Sequence, residues 1–273
     1  MMNDKLEFMN TIDKLFSEKK KDILSIYFTA GFPQLNSTTE ILSELERQGV
    51  DLVEIGMPFS DPLADGPVIQ ESSRIALENG MTISRVFAQL TEHGGKSKEE
   101  GITKVLMGYV NPVMQFGMEK FLRACVKNKI SGVILPDLPV EVYEEEYKTL
   151  FENAGVHFIF LVTPRTSEER LKKIASLSRG FVYLVSSSAT TGKTGSFSEE
   201  QKIALKRVRE IIPGTPILTG FGIHDYESRK AASEFTNGVV VGTAFIKELK
   251  KEKNISKATS DLIHKLSREK IIA

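Results

Sequence analysis

Tryptophan is absent from this sequence, cysteine occurs once, and neither sign of charge prevails. The missing tryptophan excludes nothing by itself. The single cysteine, Cys125, excludes an intramolecular disulfide framework and any multi-cysteine metal site. The 36 basic side chains are matched by 36 acidic ones, so a general nucleic-acid or membrane-surface binder is not expected. Basic clusters at 19–21 and 247–253 border helices or are interrupted by acids, and read as solvated faces. No apolar run approaches membrane-spanning length, and the opening MMNDKLEFMN lacks a signal-peptide core, which makes a cytoplasmic protein the expectation. The dinucleotide fingerprint GxGxxG is missing too. Gly192-Lys193-Thr194 resembles the end of a nucleotide-binding P-loop, but Ser187 stands where that motif needs its first glycine. Four scattered histidines, His93, His157, His224 and His264, suggest packing or surface roles, and no metal site is expected.

What is present is a regular alternation. The 273 residues are 41% hydrophobic and 26% charged, enough for a sizeable core. An amphipathic helix is expected over 5–19, from Phe8, Met9, Ile12, Leu15 and Phe16. Eight candidate strands follow, at 24–29, 52–56, 104–109, 132–136, 157–162, 181–186, 217–221 and 239–242, with helical patterns between them. Ser37 with Glu40, and Ser198 with Gln201, have the spacing of capping boxes. The stripe Val142, Tyr143, Tyr147, Leu150, Phe151 and Ala154 predicts one core-facing helix. No composition break marks a domain boundary, so one domain over 1–273 is expected. Alternating βα units imply a parallel sheet, open or closed; eight strands in this length favour a single (β/α)8 TIM barrel with an extra N-terminal helix. Its site would lie in the loops at the carboxyl ends of the strands.

Two features fall at that end. The stretch LVEIGMPFSDPLADGPVIQ places Glu54 inside an apolar strand and Asp65 eleven residues later, at the far end of a proline-rich loop. A carboxylate in low-dielectric surroundings must be paired, protonated or chemically employed, and two such groups could divide a proton-transfer task. A strand glutamate salt-bridged to a neighbour, and a turn leading Pro67 into a helix, would read the same way. The second feature is a set of glycine-bearing loops after the last three strands: SSSATTGKTGSFS, GFGI around Gly222, and Gly242-Thr243 opening a short helix. Backbone N–H groups at a helix start form an anion site, and glycine permits close approach, so a phosphate is the expected ligand. Each glycine alone would pass as an ordinary turn residue. The hydroxyl-rich loop after strand six reads as a mobile lid. Tyr183 shares strand parity with Phe181 and Val185 and can point into the barrel near Glu54.

The motifs TAGFP, EIGMPFSDPLADGPVIQ, GYVNPVMQFG, PDLPVEVYEEE, TTG, TGFGI and VVVGTAFI occur in the order found in the tryptophan synthase α-subunit family, which the chain resembles along its whole length. The resemblance implies a lyase that cleaves indole-3-glycerol phosphate to indole and glyceraldehyde 3-phosphate. It implies no cofactor in this chain, the pyridoxal phosphate belonging to a partner β subunit in an α2β2 complex. It assigns Glu54 as the acid–base group and Asp65 as the anion facing the indole nitrogen. Tyr27 corresponds to an aromatic flanking the indole, Met107 to an apolar wall of its pocket, Tyr183 to the family's active-site tyrosine, and Thr191 to a lid threonine that bonds the loop aspartate. Gly192, Gly222, Gly242 and Thr243 correspond to the phosphate site, while Tyr109, Asn111 and Pro112 resemble part of a partner-facing loop. The lid departs from many members, with Ser187-Ser188-Ala189-Thr190 in place of a segment holding an arginine and a glycine. A stand-alone lyase releasing free indole, or a non-catalytic barrel that activates a partner, are the alternatives.

Overall fold

The computed structural model describes residues 9–94, 101–185, 199–220 and 222–267. Nine parallel strands form one sheet: β1 (Ile23–Thr29), β2 (Leu52–Gly56), β3 (Thr103–Met107), β4 (Ile130–Ile134), β5 (His157–Phe158), β6 (Leu161–Val162), β7 (Val182–Leu184), β8 (Ile217–Thr219) and β9 (Gly238–Val241). Every residue of β1, β2 and β4 is buried, the signature of a parallel sheet covered on both faces.

The sheet closes on itself. Its hydrogen-bonded order begins at β5 and ends at β6, and these are two pieces of one run separated only by Ile159 and Phe160. The Ile159 N–H reaches back to the Val133 carbonyl, and the Phe160 carbonyl accepts from the Tyr183 N–H, each at 2.9 Å. The interrupted run thus bridges β4 to β7, and eight segments complete the (β/α)8 barrel that the alternation predicts. Around its wall the register aligns Tyr27, Glu54, Val105 and Gly132 in one row. Thr29, Gly56, Met107 and Ile134 form the next row, towards the carboxyl ends.

The other end is plugged by the N-terminal helix, Thr11–Glu18. It is shorter than the expected 5–19; residues 5–8 lie outside the described residues. Ile12 is fully buried, and Gly132 and Gly180 leave room for it: a Cβ on either would come within 2.8 Å of its side chain. Phe16 packs on Phe181 with ring centroids 5.7 Å apart. Asn10 caps the helix and its Nδ2 donates to the Ser131 and Gly155 carbonyls, tying the plug to β4 and to the turn before β5.

Several local expectations need correction. Ser37 and Glu40 form no capping box: Asn36 occupies the N-cap, and the Ser37 hydroxyl instead accepts from the Gln34 N–H in the preceding turn. In the Ser198–Gln201 pair, Ser198 lies outside the described residues. The stripe from Val142 to Ala154 is continuous but wider than an α-helix, passing through a π-helical turn at Tyr143–Tyr147 before Lys148–Ala154. Strand β3 stops at Met107 rather than at 109, because Asp137 takes the Val110 N–H through both carboxylate oxygens, at 3.0 and 3.2 Å. A helix that the sequence pattern does not announce, Val110–Phe116, begins there. Among the described residues no helix is long and apolar enough to cross a membrane.

Candidate active site

Strand parity turns Glu54 into the barrel, where it is completely buried. Its Oε1 accepts from the Ser25 hydroxyl at 3.2 Å, and its Oε2 has no hydrogen-bond partner among the described residues. Burial raises its pKa to about 8, and the Ser25 hydrogen bond offsets only part of that shift. The salt-bridged strand glutamate is therefore not what forms here. Glu54 carries its proton at neutral pH.

Asp65 arrives from the loop after the same strand. The Asp65 N–H closes a turn onto the Pro62 carbonyl, and Gly66-Pro67 then starts the helix Pro67–Glu78, with proline in the first turn where a missing N–H is harmless. Gln70, one turn into that helix, donates from Nε2 to the Asp65 carbonyl at 2.9 Å. The Asp65 carboxylate accepts the Tyr109 hydroxyl at 2.9 Å, and that hydroxyl also accepts the Ala64 N–H at 3.1 Å. Burial lifts the Asp65 pKa to about 6, against the pull of the tyrosine hydrogen bond. Asp65 is thus mostly ionised at pH 7, while Glu54 is mostly protonated.

The two tyrosines named from the sequence join these carboxyl groups. Tyr27 is buried between two glycines: a Cβ on Gly56 would overlap its hydroxyl, and one on Gly242 would come within 3.3 Å of its ring. Its hydroxyl lies 3.4 Å from Thr29 Oγ1, which lies 2.7 Å from the Ser72 hydroxyl. Tyr183 points across from β7, its hydroxyl 2.5 Å from where a Cβ of Gly220 would be. Desolvation keeps both phenols protonated, and the nearby charges of Glu54 and Asp65 reinforce this at each of them. All four groups therefore share one electrostatic environment at the carboxyl end. Met107, half-buried at the end of β3, lies in the same inward row as Gly56.

The glycine-bearing loops reach the same end through β8 and β9. Gly222 has φ +52°, the left-handed region that glycine enters freely. Gly242 precedes the helix Thr243–Lys251, whose first N–H groups have no intrahelical acceptor; Gly242, Thr243 and Ala244 are all partly open. Thr191, Gly192 and the rest of the expected lid lie outside the described residues. What the sequence reading missed is Tyr109, taken there as partner-facing. Parity was the available signal, since 105, 107 and 109 fall on one side of the strand path.

The comparisons with known proteins show the family. The family model described as tryptophan synthase alpha chain matches residues 14–271. The chain belongs to the tryptophan synthase alpha chain family. The tryptophan synthase alpha chain of Christiangramia forsetii is 49% identical over 88% of this chain and 93% of its own length. The crystal structure of the Legionella pneumophila tryptophan synthase alpha chain superposes with a TM-score of 0.83 at 31% identity, covering 94% of this chain and 96% of that one. A chain of the Pyrococcus furiosus tryptophan synthase complex gives a TM-score of 0.80 at 33% identity, over 90% and 98%. Membership in the tryptophan synthase alpha chain family makes this protein a lyase of the alpha reaction in tryptophan biosynthesis.

Proposed function

We propose that the chain cleaves indole-3-glycerol phosphate by acid–base catalysis with Glu54 and Asp65, without a cofactor of its own. The Glu54 carboxyl gives its proton to the indole ring carbon that bears the side chain, leaving a cation delocalised onto the ring nitrogen. The Asp65 carboxylate accepts the ring N–H and balances that charge, an electrostatic contribution that a low-dielectric site strengthens. The Glu54 carboxylate then removes the proton of the adjoining hydroxyl. As the C–C bond breaks, its electrons return to the ring, giving indole and glyceraldehyde 3-phosphate. Glu54 ends as it began, so one carboxyl moves both protons.

The observation that carries this reading is the fully buried Glu54 with Oε2 unpartnered among the described residues, a burial that pushes its pKa up to about 8. Tyr27, Tyr183 and Met107 would flank the indole. Gly222, Gly242 and Thr243, with Thr191 and Gly192, would hold the phosphate. The partner is a β subunit in an α2β2 complex, as the solved Pyrococcus furiosus complex of a relative suggests. Leu63 in the Asp65 loop is 91% exposed and Met114 on the Val110–Phe116 helix is 55% exposed; such side chains suit a docking face beside the site. A single domain working in the cytoplasm fits this assignment.

The test is indole release from indole-3-glycerol phosphate at pH 7. Glu54→Gln is expected to lower kcat by about 10²–10⁴-fold, the usual contribution of a positioned acid–base group. Normal turnover in that variant would remove Glu54 from the mechanism.

A further inference from the structure

We infer that Tyr109 is the positioning residue that holds Asp65 ionised and aimed at the substrate, a role that rests on the reading above and extends it. The geometry fixes the direction of the hydrogen bond. The Ala64 N–H, a donor, already points at the Tyr109 oxygen, so the phenolic proton is left for Asp65 Oδ2. Ala64 and Asp65 are adjacent, and one hydroxyl therefore pins both the loop backbone and its carboxylate. Among the described residues no hydrogen bond occupies Oδ1, which is left for the ligand.

The phenol is itself held. Tyr109 is buried and its ring stacks on Phe59 with centroids 5.0 Å apart. The next residue, Val110, is anchored through its N–H by Asp137 from the β4 end. Tyr109 sits two residues after the end of the rigid β3, whereas Asp65 sits on a loop. The strand thus lends its precision to the loop carboxylate.

The electrostatic setting makes such a donor necessary. Among the described residues, Glu54 from β2, Tyr27 from β1, Tyr183 from β7 and Tyr109 are the titratable groups that share the site with Asp65, and Asp137 acts on Tyr109. None of these supplies a positive charge. Burial works against an ionised Asp65, and Tyr109 is the group that lowers its pKa.

Tyr109→Phe keeps the ring and its stack and removes the hydroxyl, both the donor to Asp65 and the acceptor of the Ala64 N–H. Against wild type, the acid limb of kcat/KM is expected to move up by about one pH unit, a typical size for one charge-assisted hydrogen bond. The activity deficit then grows as pH falls, to about eightfold at pH 5.5, and closes towards pH 8. The Asp65 carboxyl, followed by ¹³C NMR in the ligand-free chain, is expected to titrate higher by the same amount. In an Asp65→Asn background the Phe substitution should add no further loss. An unmoved carboxyl titration, or a deficit equal at every pH, would overturn the inference; should Asp65→Asn be too slow to assay, the NMR titration decides alone. If Asp65→Asn keeps full activity, it is the assignment of Asp65 that fails. A dead Asp65→Asn beside an unaltered Tyr109→Phe leaves that assignment intact and removes only Tyr109.

Discussion

At neutral pH the Glu54 carboxyl holds a proton that the same side chain would have lost in water, because the barrel interior stabilises only the neutral form. Asp65, less deeply placed and bonded to Tyr109, has lost its own. The active form needs Glu54 protonated and Asp65 ionised, so kcat/KM should be bell-shaped. It should fall below about pH 6 as Asp65 gains a proton and above about pH 8 as Glu54 loses one. A pH profile of indole release in wild type and Glu54→Gln checks this. The same shift acts on stability. A carboxyl whose folded pKa lies above its unfolded one contributes fully below the unfolded pKa and loses that contribution as pH rises towards the folded value. For Glu54 the loss runs from about pH 4.5 to about pH 8 and reaches on the order of 3 kcal/mol by pH 7. Glu54→Gln should therefore raise Tm relative to wild type, increasingly from pH 5 to pH 8, while it destroys turnover. Equal melting curves at both pH values would show that Glu54 is not held neutral.

At the scale of elements, the strands were legible because each is a short apolar run closed by loop residues, and parity then placed Glu54 and Tyr183 correctly. Helix starts were less so. The Ser37 spacing fits a capping box, yet its hydroxyl serves a local turn instead, a competition that sequence cannot arbitrate. The Val110–Phe116 helix depends on Asp137, 27 residues away along the chain, and no local pattern carries that contact. Tyr109 was hidden for the same reason: its partner is on another loop. Glycines, by contrast, reveal their purpose only from across the barrel. A Cβ on Gly238 would overlap the Ile23 carbonyl oxygen on the neighbouring strand, a backbone atom that cannot rotate aside. Gly238→Ala should cost roughly 1–3 kcal/mol or more by over-packing, read as a lower denaturation midpoint. Gly214→Ala, with open space around the added carbon, serves as the tolerant control.

For the whole molecule, structure and chemistry occupy opposite ends of one barrel. Ile12 fills the amino end, packed against Gly132 and Gly180. Ile12→Ala should lower stability by about 2–5 kcal/mol while kcat/KM of the folded fraction stays within about twofold. Thermal melts beside initial rates separate the two quantities, and a matched fall in activity would mean the ends are coupled. The plug has a further consequence for biosynthesis on the ribosome. Its anchors, Ser131, Gly155 and Phe181, emerge more than a hundred residues after Ile12 does. The nascent chain must carry an unmoored greasy helix while more than a hundred further residues are added, a window in which chaperones would find their natural target.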